Sequence, residues 1–144
     1  MAKDLFNDSV KIALQKEGWK ITHDPYEIKL RTKGLFPNNL KIDLGAEKML
    51  AAEKGAEKIA IEIKSFSGAS LIYELHSLIG QYFTYQVGLE EQEPDRLLFA
   101  ALPDKAYEEL SPHPFFQTLI ERSKMRLIIY NSDNQLITQW KYEK

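Results

Sequence analysis

The chain has 144 residues, 44% of them hydrophobic and 28% charged, which suits one domain with one core. It has no cysteine, which excludes disulfides, Cys-based zinc sites and thiol nucleophiles, and none of its three histidines, His23, His76 and His113, stands at metal-ligand spacing. A net charge of −2 excludes a globally basic nucleic-acid binder, and the lack of an apolar leader or membrane-length run predicts a cytoplasmic chain with no membrane partner.

Residues 4–17 read as an amphipathic helix with Leu5, Phe6, Val10, Ala13 and Leu14 on one broad face, stopped by Gly18. Residues 19–23 alternate as a strand, and Asp24-Pro25 marks a turn. A second strand is expected at 27–33, where Lys29, Arg31 and Lys33 form either a local basic stripe or a solvated face. After a loop at 34–39, residues 40–44 give a short strand that contains Asp43. Residues 47–53 have helical propensity, but 54–57 look like a turn into a strand at 58–65, so a hairpin is expected.

That last strand is the most informative stretch. Ile59, Ile61 and Ile63 point one way, while Ala60, Glu62 and Lys64 point the other. An acid and a lysine on a largely apolar strand are costly to bury unless something pairs with them, as a divalent cation and a phosphate would. Asp43 on the upstream strand supplies a second carboxylate. Asp…Glu-x-Lys on neighbouring strands is the skeleton of a metal-dependent phosphodiesterase site. The bland alternative is a salt bridge from Lys64 to Glu62 or Asp43 with no metal.

Residues 69–91 form the clearest helix, with Leu71, Ile72, Leu75, Leu78, Ile79, Tyr82, Phe83, Gln86 and Leu89 at helical spacing and Pro94 after its end. Along its edge Glu74, Leu78, Gln81 and Tyr85 make one ridge. Gln81 and Tyr85 suit phosphate or base contacts; equally, they read as a solvated amide and a core-edge phenol. Residues 96–102 are apolar on both faces, as in a buried central strand that should neighbour 58–65. Short helices are expected at 103–110 and 115–122. Strands follow at 125–130 and 135–142, and this aromatic-rich pair, with Trp140, is expected at a dimer or partner contact.

Asp43, Glu62 and Lys64, followed by Gln81-x-x-x-Tyr85 on the next helix, resemble the PD-(D/E)xK nucleases in their RecB-like and resolvase-like variants, over about residues 4–102. The whole chain resembles the XisH family, the fdxN element excision controlling factor proteins. The resemblance rests on Lys3-Asp4-Leu5-Phe6, Ile42-Asp43-Leu44-Gly45-Ala46-Glu47-Lys48 and Ala51-Ala52-Glu53-Lys54-Gly55. It continues through Ile61-Glu62-Ile63-Lys64-Ser65-Phe66, Gly80-Gln81 and Leu89-Glu90-Glu91-Gln92-Glu93-Pro94-Asp95-Arg96.

The resemblance implies a single α/β domain over residues 1–144 with a restriction endonuclease-like core. Its central mixed sheet would be flanked by helices in the order α-β-β-β-α-β, followed by C-terminal helices and a β-hairpin. It also implies Mg²⁺, or Mn²⁺, held by Asp43 and Glu62 with the Ile63 carbonyl as third ligand. An acid from the first helix often joins such sites; Asp8 is the first choice and Glu17 competes. Lys64 would stand beside the attacking water, with Gln81 and Tyr85 on the DNA backbone or orienting Lys64. The chain departs from the nuclease motif where Ile42 replaces its proline. The implied role is control of site-specific DNA excision during heterocyst differentiation, with DNA and a second small factor, XisI, as partners. Three functions stay open: a Mg²⁺-dependent DNA endonuclease, a silent nuclease-fold accessory acting through XisI, or the nuclease half of a toxin–antitoxin or defence-type pair.

Overall fold

Helix α1 (Ala2–Lys16) closes on Gly18, whose φ of +92° suits the left-handed residue that ends a helix. There the Gly18 amide donates to the Gln15 carbonyl and the Trp19 amide to that of Leu14, both at 3.0 Å. This is a computed structural model, and it describes residues 2–28, 49–66, 68 and 70–142. Asp43, the strand expected at 40–44, and Lys29, Arg31 and Lys33 all lie outside the described residues.

Strands β1 (Lys20–His23), β2 (Met49–Lys54), β3 (Glu57–Ile63), β4 (Arg96–Pro103), β5 (Leu127–Asn131) and β6 (Leu136–Lys141) form one sheet in that spatial order. β3, β4 and β5 run parallel and the other pairings are antiparallel, so the sheet is mixed, as expected. The hairpin of β2 and β3 turns on Gly55, at φ +60°, which a type II′ turn requires of its first central residue. Pairing and burial of Met49 to Ala52 override the helical propensity of that stretch.

Both parallel connections advance across the sheet in the same direction, and right-handed crossovers then carry their helices to the same face. Accordingly α2 (Leu71–Gln92), α3 (Asp104–Leu110) and α4 (Pro114–Ser123) share one core, while α1 packs on the opposite face. β4 is buried on both sides: Leu98, Ala100 and Leu102 face α2, while Phe99 and Ala101 face the α1 side. β3 divides likewise, with Ile59, Ile61 and Ile63 towards α1 and Ala60 towards α2.

Two expectations about apolar faces need correction. Leu5 is exposed, because it stands across the helix from the Val10–Leu14 stripe. On α2, Phe83 is 69% exposed and Ile72 is also exposed, whereas Gln81 and Tyr85 are buried. The buried stripe is rotated towards the Glu74 edge. Trp140 is half-buried and stacks within the chain, 5.9 Å from Trp19 and 5.3 Å from Phe99, and donates from Nε1 to Glu17 Oε1 at 3.0 Å.

The start of β4 is tied down by Arg96, which is almost wholly buried. Its Nε and Nη2 donate to the two oxygens of Glu93 at 3.1 and 3.2 Å, Nη2 also donates to Glu53 at 3.3 Å, and Nη1 donates to the Ile59 carbonyl at 3.0 Å. Its guanidinium lies 5.2 Å from the centre of the Tyr26 ring. The Tyr26 hydroxyl donates to Glu93 Oε1 at 2.6 Å and accepts from Gln92 at 2.9 Å.

Candidate functional site

The site is built where β3 ends. The Lys64 amide donates to the Ala101 carbonyl at 3.1 Å, so the chain stays extended for one residue past Ile63. It then turns at Phe66, whose φ of +53° is strained for a bulky side chain and whose ring is buried. Glu62, Lys64 and Ser65 are thereby sequestered at the carboxyl end of a parallel strand, the end at which open α/β sheets place ligands. Among the described residues the buried polar or charged side chains are Asn7, Ser9, Glu62, Lys64, Ser65, Gln81 and Arg96. Four of these belong to the end of β3 and the helix that covers it.

Helix α2 supplies the roof. It starts at Ser70, whose hydroxyl accepts the Tyr73 amide at 3.2 Å, and it buries Leu75, Leu78, Gln81, Tyr82 and Tyr85. Glu62 is 0% exposed and Gln81 is 7% exposed, so the amide is not solvated. Burial pushes the Tyr85 hydroxyl well above the usual phenol range, and the negative charge of Glu62 pushes it further. Among the described residues that hydroxyl has no hydrogen-bond partner. The neighbouring Tyr82 is satisfied: it donates to the Leu98 carbonyl at 2.9 Å and accepts from the Arg126 amide at 3.2 Å. Burial raises its pKa too, against the lowering effect of Arg126, and Glu62 again adds to the rise. The Glu62 carboxylate therefore acts on two phenols of α2. Among the described residues no ion pair joins Glu62 to Lys64.

The structure buries Glu62 and Lys64 at the end of β3 and Gln81 and Tyr85 on the helix that covers that face, while Asp43 lies outside the described residues. Ile63 turns its side chain to the α1 core and has only its backbone to offer. Asp8 is not brought to this group. It sits on α1, across the sheet from Glu62, with its side chain 60% exposed and 3.5 Å from Lys11. Glu17, also on that side, accepts from Trp140. The reason is strand alternation: α1 covers the Ile59–Ile61–Ile63 face, so Glu62 must point away from it. Ser65 and Tyr82 were not singled out by the sequence pattern. Ser65 was findable as the residue directly after Lys64, whereas the left-handed turn at Phe66 has no sequence signal.

Among the described residues no three His, Cys, Asp or Glu side chains converge to hold a metal. Glu62 alone offers one hard oxygen ligand. The Tyr85 phenol lies within its electrostatic reach, and Lys64 and Gln81 are buried just past the end of β3 and on the covering helix, so this region holds a carboxylate, an ammonium, a carboxamide and a phenol away from water.

The chain matches the protein-family model described as XisH protein over residues 1–138. No curated protein matches it. Among solved structures it is 36% identical to an XisH family protein from Nostoc punctiforme PCC 73102, with a TM-score of 0.83 over 95% of this chain and 98% of the other. It is likewise 36% identical to an fdxN element excision controlling factor protein from Anabaena variabilis, with the same TM-score and coverage.

Proposed function

The chain belongs to the XisH family, and on that premise we propose that it is a nuclease-like, DNA-processing factor in the control of element excision, with a restriction endonuclease-like core. One observation carries this reading: α2 buries Gln81 and Tyr85 on the Glu62 side of the sheet and leaves Phe83 exposed. Burying a phenylalanine contributes about 1.5–3 kcal/mol, so a helix that served only as a lid would expose the amide instead.

In this reading Glu62, together with Asp43, holds Mg²⁺ or Mn²⁺. Such ions accept oxygen donors, and one or two carboxylates suffice as protein anchors. When bound, the cation supplies Lewis acidity and makes water a better nucleophile. Lys64 sets its positive charge against the scissile phosphate. Gln81 donates its amide hydrogens to a phosphate oxygen. Tyr85, kept protonated by its raised pKa, donates to the phosphate or orients Lys64. Incubation of plasmid and branched DNA with Mg²⁺ or Mn²⁺ tests the reading. Cleavage that Glu62→Gln and Lys64→Ala each abolish is expected; a wild type that never cuts, or cuts equally well as Lys64→Ala, overturns it.

A second reading is a silent nuclease-fold accessory that works through an XisI-like partner. The net charge of −2 supports it, as does the relative's description as a controlling factor. Co-purification with XisI, and no heat of Mg²⁺ binding in calorimetry, is its expected result. A robust Mg²⁺-dependent nuclease counts against it.

A further inference from the structure

A groove of about 830 Å³ opens between α4 and the β5–β6 side of the sheet. Its lining includes the aromatic side chains of Tyr107 and Trp140, both half-buried, and of Tyr142, which is exposed, above the core residues Phe116 and Met125. Around them stand Lys124, Arg126 and Lys141, with Glu121 as the only carboxylate among the described lining residues. The Lys141 ammonium lies 5.5 Å from the centre of the Tyr107 ring. In a chain of net charge −2 this is a local reversal of sign.

The position of the groove matters as much as its charge. Glu62 pairs with Ala100 across β3–β4, and Ala100 pairs with Leu127 across β4–β5. Leu127, in the groove, is thus two strands from Glu62 at the same level, roughly 10 Å away at the usual strand spacing. Tyr82 stands between the two places, under the influence of Glu62 and in contact with Arg126, whose Nη1 is 3.4 Å from its hydroxyl.

We propose that this groove binds a single strand of nucleic acid. Three cations against one carboxylate ask for a polyanion. The accessible rings of Tyr107, Trp140 and Tyr142 ask for flat faces that can leave their own stack, which single-stranded bases have and duplex bases do not. An acidic peptide shares the charge but not the obligatory flat groups. The choice of nucleic acid also rests on the phosphodiesterase reading of the Glu62 site beside it.

Fluorescence anisotropy with a labelled oligothymidine of about 20 nucleotides tests the groove. The probe variant combines Lys124→Asn with Lys141→Gln; asparagine tolerates the left-handed backbone at position 124, where φ is +57°. Binding about tenfold weaker is expected, with the slope of log K against log salt shallower by about 1.4, or ~0.7 per lost phosphate contact. Gln139→Lys adds a cation at an exposed position of the lining and should tighten binding, which covers the case of a misfolded double variant. The groove proposal is overturned by unchanged affinity in the folded double variant, by no gain in Gln139→Lys, by preference for a duplex of equal length, or by equal binding of an oligoglutamate peptide. Adding Mg²⁺ separates it from the nuclease reading. Strand binding that the double variant weakens, with no cleavage at all, upholds the groove and overturns the nuclease. Cleavage and binding that the double variant leaves intact uphold the nuclease and overturn the groove.

Discussion

The two ends of the β3–β4 pair bury charge in opposite ways. At the start of β4, Arg96 has its donors answered by Glu93, Glu53 and the Ile59 carbonyl, and Tyr26 and Gln92 close the ring around Glu93. At the far end, Glu62 and Lys64 are as deeply buried and sit two residues apart, yet no ion pair joins them. Taking a charge out of water is costly in both places. The first arrangement offsets that cost within the chain and works as a staple. In the second, Glu62 and Lys64 are not joined to each other, and the charge of Glu62 acts instead on the hydroxyls of Tyr82 and Tyr85 on the helix above it.

The largest effect that can break this contrast comes from the staple. Arg96→Met should cost about 3 kcal/mol in urea unfolding, the low end of the range for a broken buried pair because Glu93 and Glu53 keep some water contact. A loss below about 1 kcal/mol would make the staple no more than a surface bridge.

Next in size is a pair of phenols on one helix. Tyr82→Phe removes a hydroxyl with two partners and should cost about 1–1.5 kcal/mol. Tyr85→Phe removes one with no hydrogen-bond partner among the described residues, and its melting temperature should equal or exceed that of wild type. Equal losses in both would erase the distinction between a structural and a reserved hydroxyl.

Smaller still are the stability changes expected at the open end. Glu62→Gln and Lys64→Ala should each shift stability by under about 1 kcal/mol while removing any Mg²⁺-dependent cleavage, since functional sites trade stability for chemistry. Thermal melts with and without Mg²⁺ decide it; losses of about 3–5 kcal/mol with indifference to Mg²⁺ would show a structural bridge instead.

The subtlest test is pH. Burial pushes the Glu93 carboxyl up, but the Arg96 hydrogen bonds and charge, with the Tyr26 bond, outweigh it and hold the group below its usual value of 4.5. A lowered carboxyl adds stability above 4.5 that is lost as the pH falls through the folded-state value. Burial, with Glu93 second, pushes Tyr26 up to about 12 from 10, so its contribution is complete below pH 10 and lost as the pH rises to about 12. Stability measured against pH should show both limbs, with the acid limb reduced in Arg96→Met and the alkaline limb reduced in Tyr26→Phe.

Much of the architecture was legible because it depends on neighbours in sequence. Gly18 and Gly55 announce backbone that only glycine adopts easily, and period-two alternation divides Ile59, Ile61 and Ile63 from Glu62. The double-sided apolarity of β4 sufficed to place it inside the sheet, next to β3. Element order, the hairpin into β3 and the side of that strand carrying Glu62 and Lys64 follow from such local rules.

Distant contacts decided the rest. A helical wheel offers α2 two faces of similar apolarity, and the sheet beneath it selected the one with Gln81 and Tyr85 over the one with Ile72 and Phe83. The side of the sheet covered by α1 removed Asp8 and Glu17 from the Glu62 group, although both looked eligible on their own helix. The Arg96 staple joins residues 26, 53, 93 and 96, a meeting no local pattern announces. Periodicity sets which residues of an element share a face, because that follows from backbone geometry. Which face is buried, and against what, is settled only when crossovers and packing bring remote segments together.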